Sequence, residues 1–200
     1  HRSKSTQDLL ASSLQYNSQV GGYPAAAQQA SLFTQQVYSD NYLKFLVQEL
    51  KPYIDSRYAV HTDAANTFVM GSSMGGLISW YAQSRYPQVF GGAAALSTHW
   101  PGTFSVENNP IPQAFLSYLE QQLPAAGQHK WYFDYGDQTL DALYPPLQQE
   151  VDRLFRRKGF SAPLWHSELF AGTDHSEQAW AARLATPLRF LLTKPTQEQN

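Results

Sequence analysis

The sequence predicts an α/β fold, a mainly parallel sheet with helices on both faces. Two observations carry that expectation. From Thr67 onward, short apolar runs of strand character alternate with stretches of helical period, which is the pattern of consecutive βαβ units. Where the first of these strands meets its helix, within residues 67–81, Gly71-Ser72-Ser73-Met74-Gly75 places a serine between two glycines on a sharp turn. The 200 residues suit one domain, and 42% hydrophobic with 14% aromatic content is enough to fill its core.

Composition narrows the function classes. Charged residues make up only 15% and the net charge is −2, so no basic surface invites nucleic acid or an anionic membrane. No apolar run approaches the length of a membrane span. The absence of cysteine removes disulfides, thiolate nucleophiles and cysteine-based metal sites, and it does not decide between cytoplasm and periplasm. No histidines and carboxylates fall at a metal-ligand spacing.

In chain order, residues 1–38 are rich in Gln, Ser and Ala, with Gly21-Gly22 and Pro24 as punctuation. They read as an irregular segment in which Leu9, Leu10 and Leu14 form at most one helical turn. His1 follows neither an initiator methionine nor a signal-peptide pattern, which predicts sequence upstream. A helix starts at Ser39 or Asp40, either able to cap it, with Leu43, Leu46, Val47, Leu50 and Ile54 on one face. Pro52 should kink that helix or restart it after Glu49-Leu50, and it closes near Tyr58. After the serine turn a helix runs to about Arg85 and stops before Pro87. Residues 90–97 form a buried strand of small side chains, which Thr98-His99-Trp100-Pro101 leaves at its carboxyl end. A helix over 111–123, a strand over 130–135 and a helix over 145–158 with Gly159 at its end come next. A strand over 164–170 and a helix over 176–192, interrupted by Pro187, complete the domain at 193 ahead of a polar tail, 194–200.

The serine turn suits nucleophilic chemistry. It lifts Ser73 Oγ out of the sheet, while the glycines let the flanking backbones pass closely. The positive end of the following helix favours negative charge there, and the Met74 N–H is a natural oxyanion donor. The bland competitor is a Gly/Ser turn that merely closes a βα unit. Strand, turn and helix fall where the motif requires, which favours the catalytic reading.

In such a sheet the ligand site lies beyond the carboxyl ends of the strands. Ser73, an aspartate (Asp141 or Asp137) and His175 all leave those ends, in the chain order of α/β-hydrolases. His175 would take the Ser73 proton as Oγ attacks an acyl carbon, and the aspartate would fix the imidazole tautomer. His175 also neighbours Asp174 and Ser176, which suit a helix cap. Asp137 fits a turn next to its strand, whereas Asp141 ends the loop before a helix, and both remain open here. His99 reads as a pocket-wall residue; His61, His129 and His166 read as surface or strand residues.

The run Asn41-Tyr42-Leu43-Lys44-Phe45-Leu46-Val47-Gln48-Glu49-Leu50-Lys51-Pro52-Tyr53-Ile54 resembles the helix ahead of the serine turn in the "Putative esterase" family, which includes esterase D, feruloyl esterases and enterobactin-type siderophore esterases. Gly71-Ser72-Ser73-Met74-Gly75-Gly76, Tyr86-Pro87-Gln88-Val89-Phe90, Leu96-Ser97 with Trp100, and Asp174-His175-Ser176-Glu177-Gln178-Ala179-Trp180 extend the resemblance over about residues 40–192. It implies an α/β-hydrolase fold and a cofactor-free serine esterase for a small-molecule ester, with Ser73 as nucleophile and His175 as base. It also implies Trp100 as a pocket-lining tryptophan. The family's acid loop often reads Gly, Thr, two variable residues, Leu, Asp. Gly136-Asp137-Gln138-Thr139-Leu140-Asp141 matches that pattern except at Asp137, which tips the acid toward Asp141.

His1-Arg2-Ser3-Lys4 resembles the start of a family segment but continues differently, as Ser5-Thr6-Gln7. Family members carry several strands ahead of that point, one of them ending in the loop that gives a second oxyanion N–H. The sequence shows none of these. It therefore predicts that N-terminal strands are missing from this chain and are supplied by a preceding segment or a partner chain. Acyl transfer or peptidase chemistry on the same fold, or a catalytically silent binding subunit, are the alternatives.

Overall fold

The computed structural model describes residues 38–104 and 106–193. The expected helical turn near Leu9, the irregular segment around it and the polar tail lie outside these residues. Strands β1 (Phe68–Ser72), β2 (Gly92–Leu96), β3 (Lys130–Tyr135) and β4 (Trp165–Leu169) form a parallel sheet in the order β1-β2-β3-β4. Register pairs Ser72 with Leu96, Leu96 with Asp134, and Asp134 with Glu168. All four carboxyl ends therefore open along one rim of the sheet. Among the described residues β1 is paired only by β2, so the neighbour expected on each of its sides is present on one.

Both faces of a parallel sheet must be covered, because crossover helices pack on each. One face carries Ala95, Trp131 and Phe133. Against it pack Leu77 and Trp80 of α3 (Met74–Arg85), Leu119 of α4 (Ile111–Gln122) and Phe155 of α5 (Tyr144–Arg157). The opposite face carries Ala94, Leu96 and Tyr132 beneath Leu191 of α7 (Ala185–Leu192). Lys130 of β3 reaches the end of α7, where its ammonium donates to the carbonyls of Phe190 (3.0 Å), Leu191 (2.6 Å) and Thr193. These are carbonyls that a helix end leaves without partners of its own, at the negative pole of its dipole.

Proline accounts for two departures from regular α-helix. Helix α1 (Ser39–Phe45) widens into a π turn over Leu46–Leu50 before α2 (Lys51–Arg57). Pro52 has no N–H for the preceding turn and its ring crowds the carbonyl there, so the wider turn accommodates it without a sharp break. The last helix is divided at Leu184 into α6 (Glu177–Arg183) and α7, ahead of Pro187 for the same reason.

Ends of elements follow local chemistry. Gly159 adopts φ +84°, its N–H reaches the Arg156 carbonyl and the Phe160 N–H reaches that of Phe155. This is the left-handed cap expected after α5, with Phe160 packed on Phe155. Capping of α1 departs from expectation. Neither Ser39 nor Asp40 caps it, and the Asp40 carboxylate instead accepts a 2.5 Å hydrogen bond from Tyr81 of α3. Leu43 is buried against the core by this packing, whereas Leu50 faces outward.

Candidate active site

Ser73 joins β1 to α3 with φ +57° and ψ −119°, a conformation L-residues seldom hold. Surrounding hydrogen bonds impose it. The Ser73 N–H donates to the Leu96 carbonyl (2.9 Å), and the Ser73 carbonyl accepts from the N–H groups of Gly76 (3.0 Å), Leu77 (3.2 Å) and His99 (3.2 Å).

Glycines are needed here, but not the pair expected. A Cβ on Gly71 would sit 2.7 Å from the Gly75 carbonyl, whereas one on Gly75 would meet nothing within 4 Å. The second steric demand falls on Gly76, where a Cβ would lie 3.1 Å from Thr98 Oγ1 and 3.2 Å from the Leu96 carbonyl. Gly76 lets α3 press onto the end of β2.

The loops after β3 and β4 are stitched together. The Thr173 carbonyl accepts from the N–H groups of Asp137 (3.1 Å) and Gln138 (3.0 Å), and Gly136 passes so close that a Cβ would lie 2.2 Å from that carbonyl. The His175 N–H donates to Thr139 Oγ1 at 3.0 Å, and Thr139 holds φ +54° to present it. Ser176 caps α6 by accepting from the Ala179 N–H at 3.3 Å. Helix capping by Ser176 therefore leaves the neighbouring His175 side chain free to face Ser73.

These loops bring three predicted side chains together. Ser73 Oγ lies 2.9 Å from His175 Nε2, and His175 Nδ1 lies 2.5 Å from Asp141 Oδ1. Asp141 is fully buried, and its Oδ2 accepts from the Gly136 N–H (2.7 Å) and the Ser97 hydroxyl (2.6 Å). Asp137 is elsewhere. Its part-buried side chain accepts from the Gln138 side chain (2.9 Å) and the Gly172 N–H (2.7 Å), and these two hydrogen bonds hold it below its ordinary range. A serine hydroxyl on an imidazole whose far nitrogen meets a buried carboxylate can lose its proton as the oxygen attacks an electrophile.

Met74 opens α3, where the helix itself offers its N–H no acceptor, and its side chain is 60% exposed. His99 is 5% exposed, with Nδ1 2.8 Å from Tyr144 Oη; that oxygen also lies 3.5 Å from His175 Nδ1. Burial first, and then the neighbouring His175, hold His99 below its ordinary imidazole value. Phe104, 88% exposed, faces His99 from the following loop with ring centroids 6.1 Å apart. Trp100 departs from its expected place on the pocket wall. It is 2% exposed, stacks on Trp80, and donates its Nε1–H to Gln148 in the core at 2.7 Å.

Sequence reasoning gave no role to Ser97, Thr139 or Tyr144. Ser97 and Thr139 are non-glycine residues at positive φ, which no pattern of residue types announces. Position offered one clue, since Ser97 directly follows the end of β2. Among the described residues no histidine–carboxylate group is arranged to hold a metal, and no helix is long and apolar enough to cross a membrane.

The family described as "Putative esterase" matches residues 13–191. Solved structures with a similar fold include a ferulic acid esterase, at 21% identity and TM-score 0.59, over 75% of this chain and 60% of that one. The enterobactin esterase of Shigella flexneri, solved with 2,3-dihydroxy-N-benzoyl-serine, is 20% identical with TM-score 0.59, over 76% of this chain and 37% of that one. The S-formylglutathione hydrolase apoenzyme of Staphylococcus aureus is 16% identical with TM-score 0.55, over 78% of this chain and 66% of that one. At such identities the likeness carries the fold alone, which is of the α/β-hydrolase type. The chain thus spans between 37% and 66% of the length of these structures. No curated protein matches the sequence.

Proposed function

This chain belongs to the "Putative esterase" family, and from that premise we propose that it hydrolyses carboxylic esters of small molecules through an acyl-enzyme on Ser73. One observation carries the reading: the unbroken run from Ser73 Oγ through the two nitrogens of His175 to the buried Asp141. His175 Nε2 takes the hydroxyl proton as Oγ bonds to the acyl carbon. Asp141 keeps the other imidazole proton on Nδ1 and stabilises the imidazolium. The carbonyl electrons move onto oxygen beside the Met74 N–H, at the positive end of α3. Collapse breaks the ester C–O bond, and His175 returns its proton to the departing alcohol. Water then repeats the sequence on the acyl-enzyme, so ester plus water becomes acid plus alcohol.

His99, Met74 and Phe104 border the substrate side in this reading. Residues 39–193 act as the later part of a hydrolase domain, and a further strand on the outer edge of β1 brings the second oxyanion donor.

Fluorophosphonate labelling tests the proposal. The folded chain should label, and both the heat-denatured chain and Ser73→Ala should not. Equal labelling of Ser73→Ala would remove Ser73 from the mechanism.

A further inference from the structure

Behind Asp141 lies a buried polar cluster that the chemistry above does not use. Arg183 of α6 is buried and forks three ways. Its Nε donates to Asp134 Oδ1 on β3 (3.1 Å), Nη1 to Thr173 Oγ1 in the loop after β4 (3.2 Å), and Nη2 to Ser97 Oγ at the end of β2 (2.8 Å). Asp134 also ion-pairs with Nη2 at 3.0 Å and accepts the Tyr132 hydroxyl at 2.9 Å. One guanidinium therefore ties together three strand ends that frame the site. Trp180, also on α6, sets its ring edge-on to His175 with centroids 4.9 Å apart, and its Nε1–H donates to Ser97 Oγ at 3.0 Å.

A proton inventory fixes the direction of these bonds. A serine hydroxyl has one proton to give and two lone pairs to receive. Arginine and the tryptophan indole are donors only, so both lone pairs of Ser97 are taken. Its one proton is left for the remaining neighbour, Asp141 Oδ2 at 2.6 Å. That oxygen also receives the Gly136 N–H, so both of its lone pairs are filled by donors. Oδ1 is then the oxygen facing His175, which must present Nδ1–H to it and leave Nε2 free to receive the Ser73 proton.

We propose that Ser97 is a positioning residue for Asp141, with its proton aimed by Arg183 and Trp180, so that α6 fixes which carboxylate oxygen, and at what angle, meets His175 Nδ1–H. The proposal rests on the esterase reading for its consequence and not for its geometry. The backbone of Ser97 supports a dedicated role, because a serine holds φ +39° at a fully buried site where glycine would be less strained.

The test uses the full chain and two variants that lack the hydroxyl. Ser97→Ala keeps the Cβ, whereas Ser97→Gly also relieves the backbone, so a folding defect in the first does not carry over to the second. Hydrolysis of p-nitrophenyl acetate should lose kcat by about tenfold or more in both, with KM within about twofold. Combined with Asp141→Asn, neither should lower kcat beyond Asp141→Asn alone, because Ser97 acts through that carboxylate. The low-field proton resonance of the His175 Nδ1–H should be displaced or lost in both variants. An unchanged kcat, or losses that multiply in the double variants, would overturn the proposal. A wild-type chain without ester turnover would instead sink the esterase reading. The resonance then decides alone: a shift in the Ser97 variants supports the positioning role, and an unmoved signal refutes it.

Discussion

Asp137 and Asp141 sit in one loop, yet burial and partners give them different work. Asp141 is enclosed and meets the imidazole, whereas Asp137 is only part-buried and ties its loop to Gly172. Asp141→Asn should therefore lower kcat on the order of 10³–10⁴-fold, because an amide cannot hold the imidazole in the productive tautomer. Asp137→Asn should change kcat by less than about threefold, and steady-state kinetics of both variants would expose a reversed order. His99 makes a separate claim about pH. Its imidazole, depressed by burial, stays neutral in the fold while the unfolded chain binds that proton near about 6.5. Between those two values the unfolded state carries more protons, so stability drops as pH falls below about 6.5 and is fully present above it. His99→Asn keeps an acceptor for Tyr144 and cannot titrate. Urea unfolding from pH 5 to 8 should show a shallower acid decline in the variant, by up to about 1.4 kcal/mol per pH unit. Parallel curves would refute the buried neutral imidazole.

At the level of elements, the turn between β1 and α3 separates glycines that look equivalent in the motif. Gly71→Ala drives a Cβ into the Gly75 carbonyl, whereas Gly75→Ala meets open space. Gly71→Ala should cost about 3 kcal/mol or more, at or above the upper end of what single substitutions usually cost. Gly75→Ala should melt within a few degrees of the parent, and calorimetry of the two variants decides the point. The elements themselves were legible because strand runs, helical stripes and prolines are local signals. β3 occupies the expected residues, and α3 and α5 end within a residue of where Pro87 and Gly159 imply. What was illegible was non-local. Nothing near Asp40 reveals that Tyr81 claims its carboxylate in place of the cap, and nothing near Trp100 reveals the stack on Trp80 that draws it into the core.

The whole molecule contributes alignment. Sequential parallel pairing brings every strand to the same rim, so a serine, an aspartate and a histidine from three separate loops converge without any of them being close in sequence. The glycine-framed turn, chain order and the family resemblance pointed to Ser73 and His175. The residues of the loop left Asp137 and Asp141 both open and the family resemblance tipped the acid toward Asp141; the physical difference lies in the fold of the loop, where the carbonyl of Thr173 pins Asp137 outward and the Gly136 N–H draws Asp141 inward. Ser97, Trp180 and Arg183 were beyond reach because their meeting depends on α6 crossing behind the rim. The atom that becomes covalently modified decides between Ser73 and every other serine. The full chain would be trapped with a fluorophosphonate, digested, and its peptides sequenced by mass spectrometry. A single adduct is expected on Ser73, in the peptide spanning Gly71 to Gly76. An adduct on Ser72, or on a serine remote from His175, would contradict it.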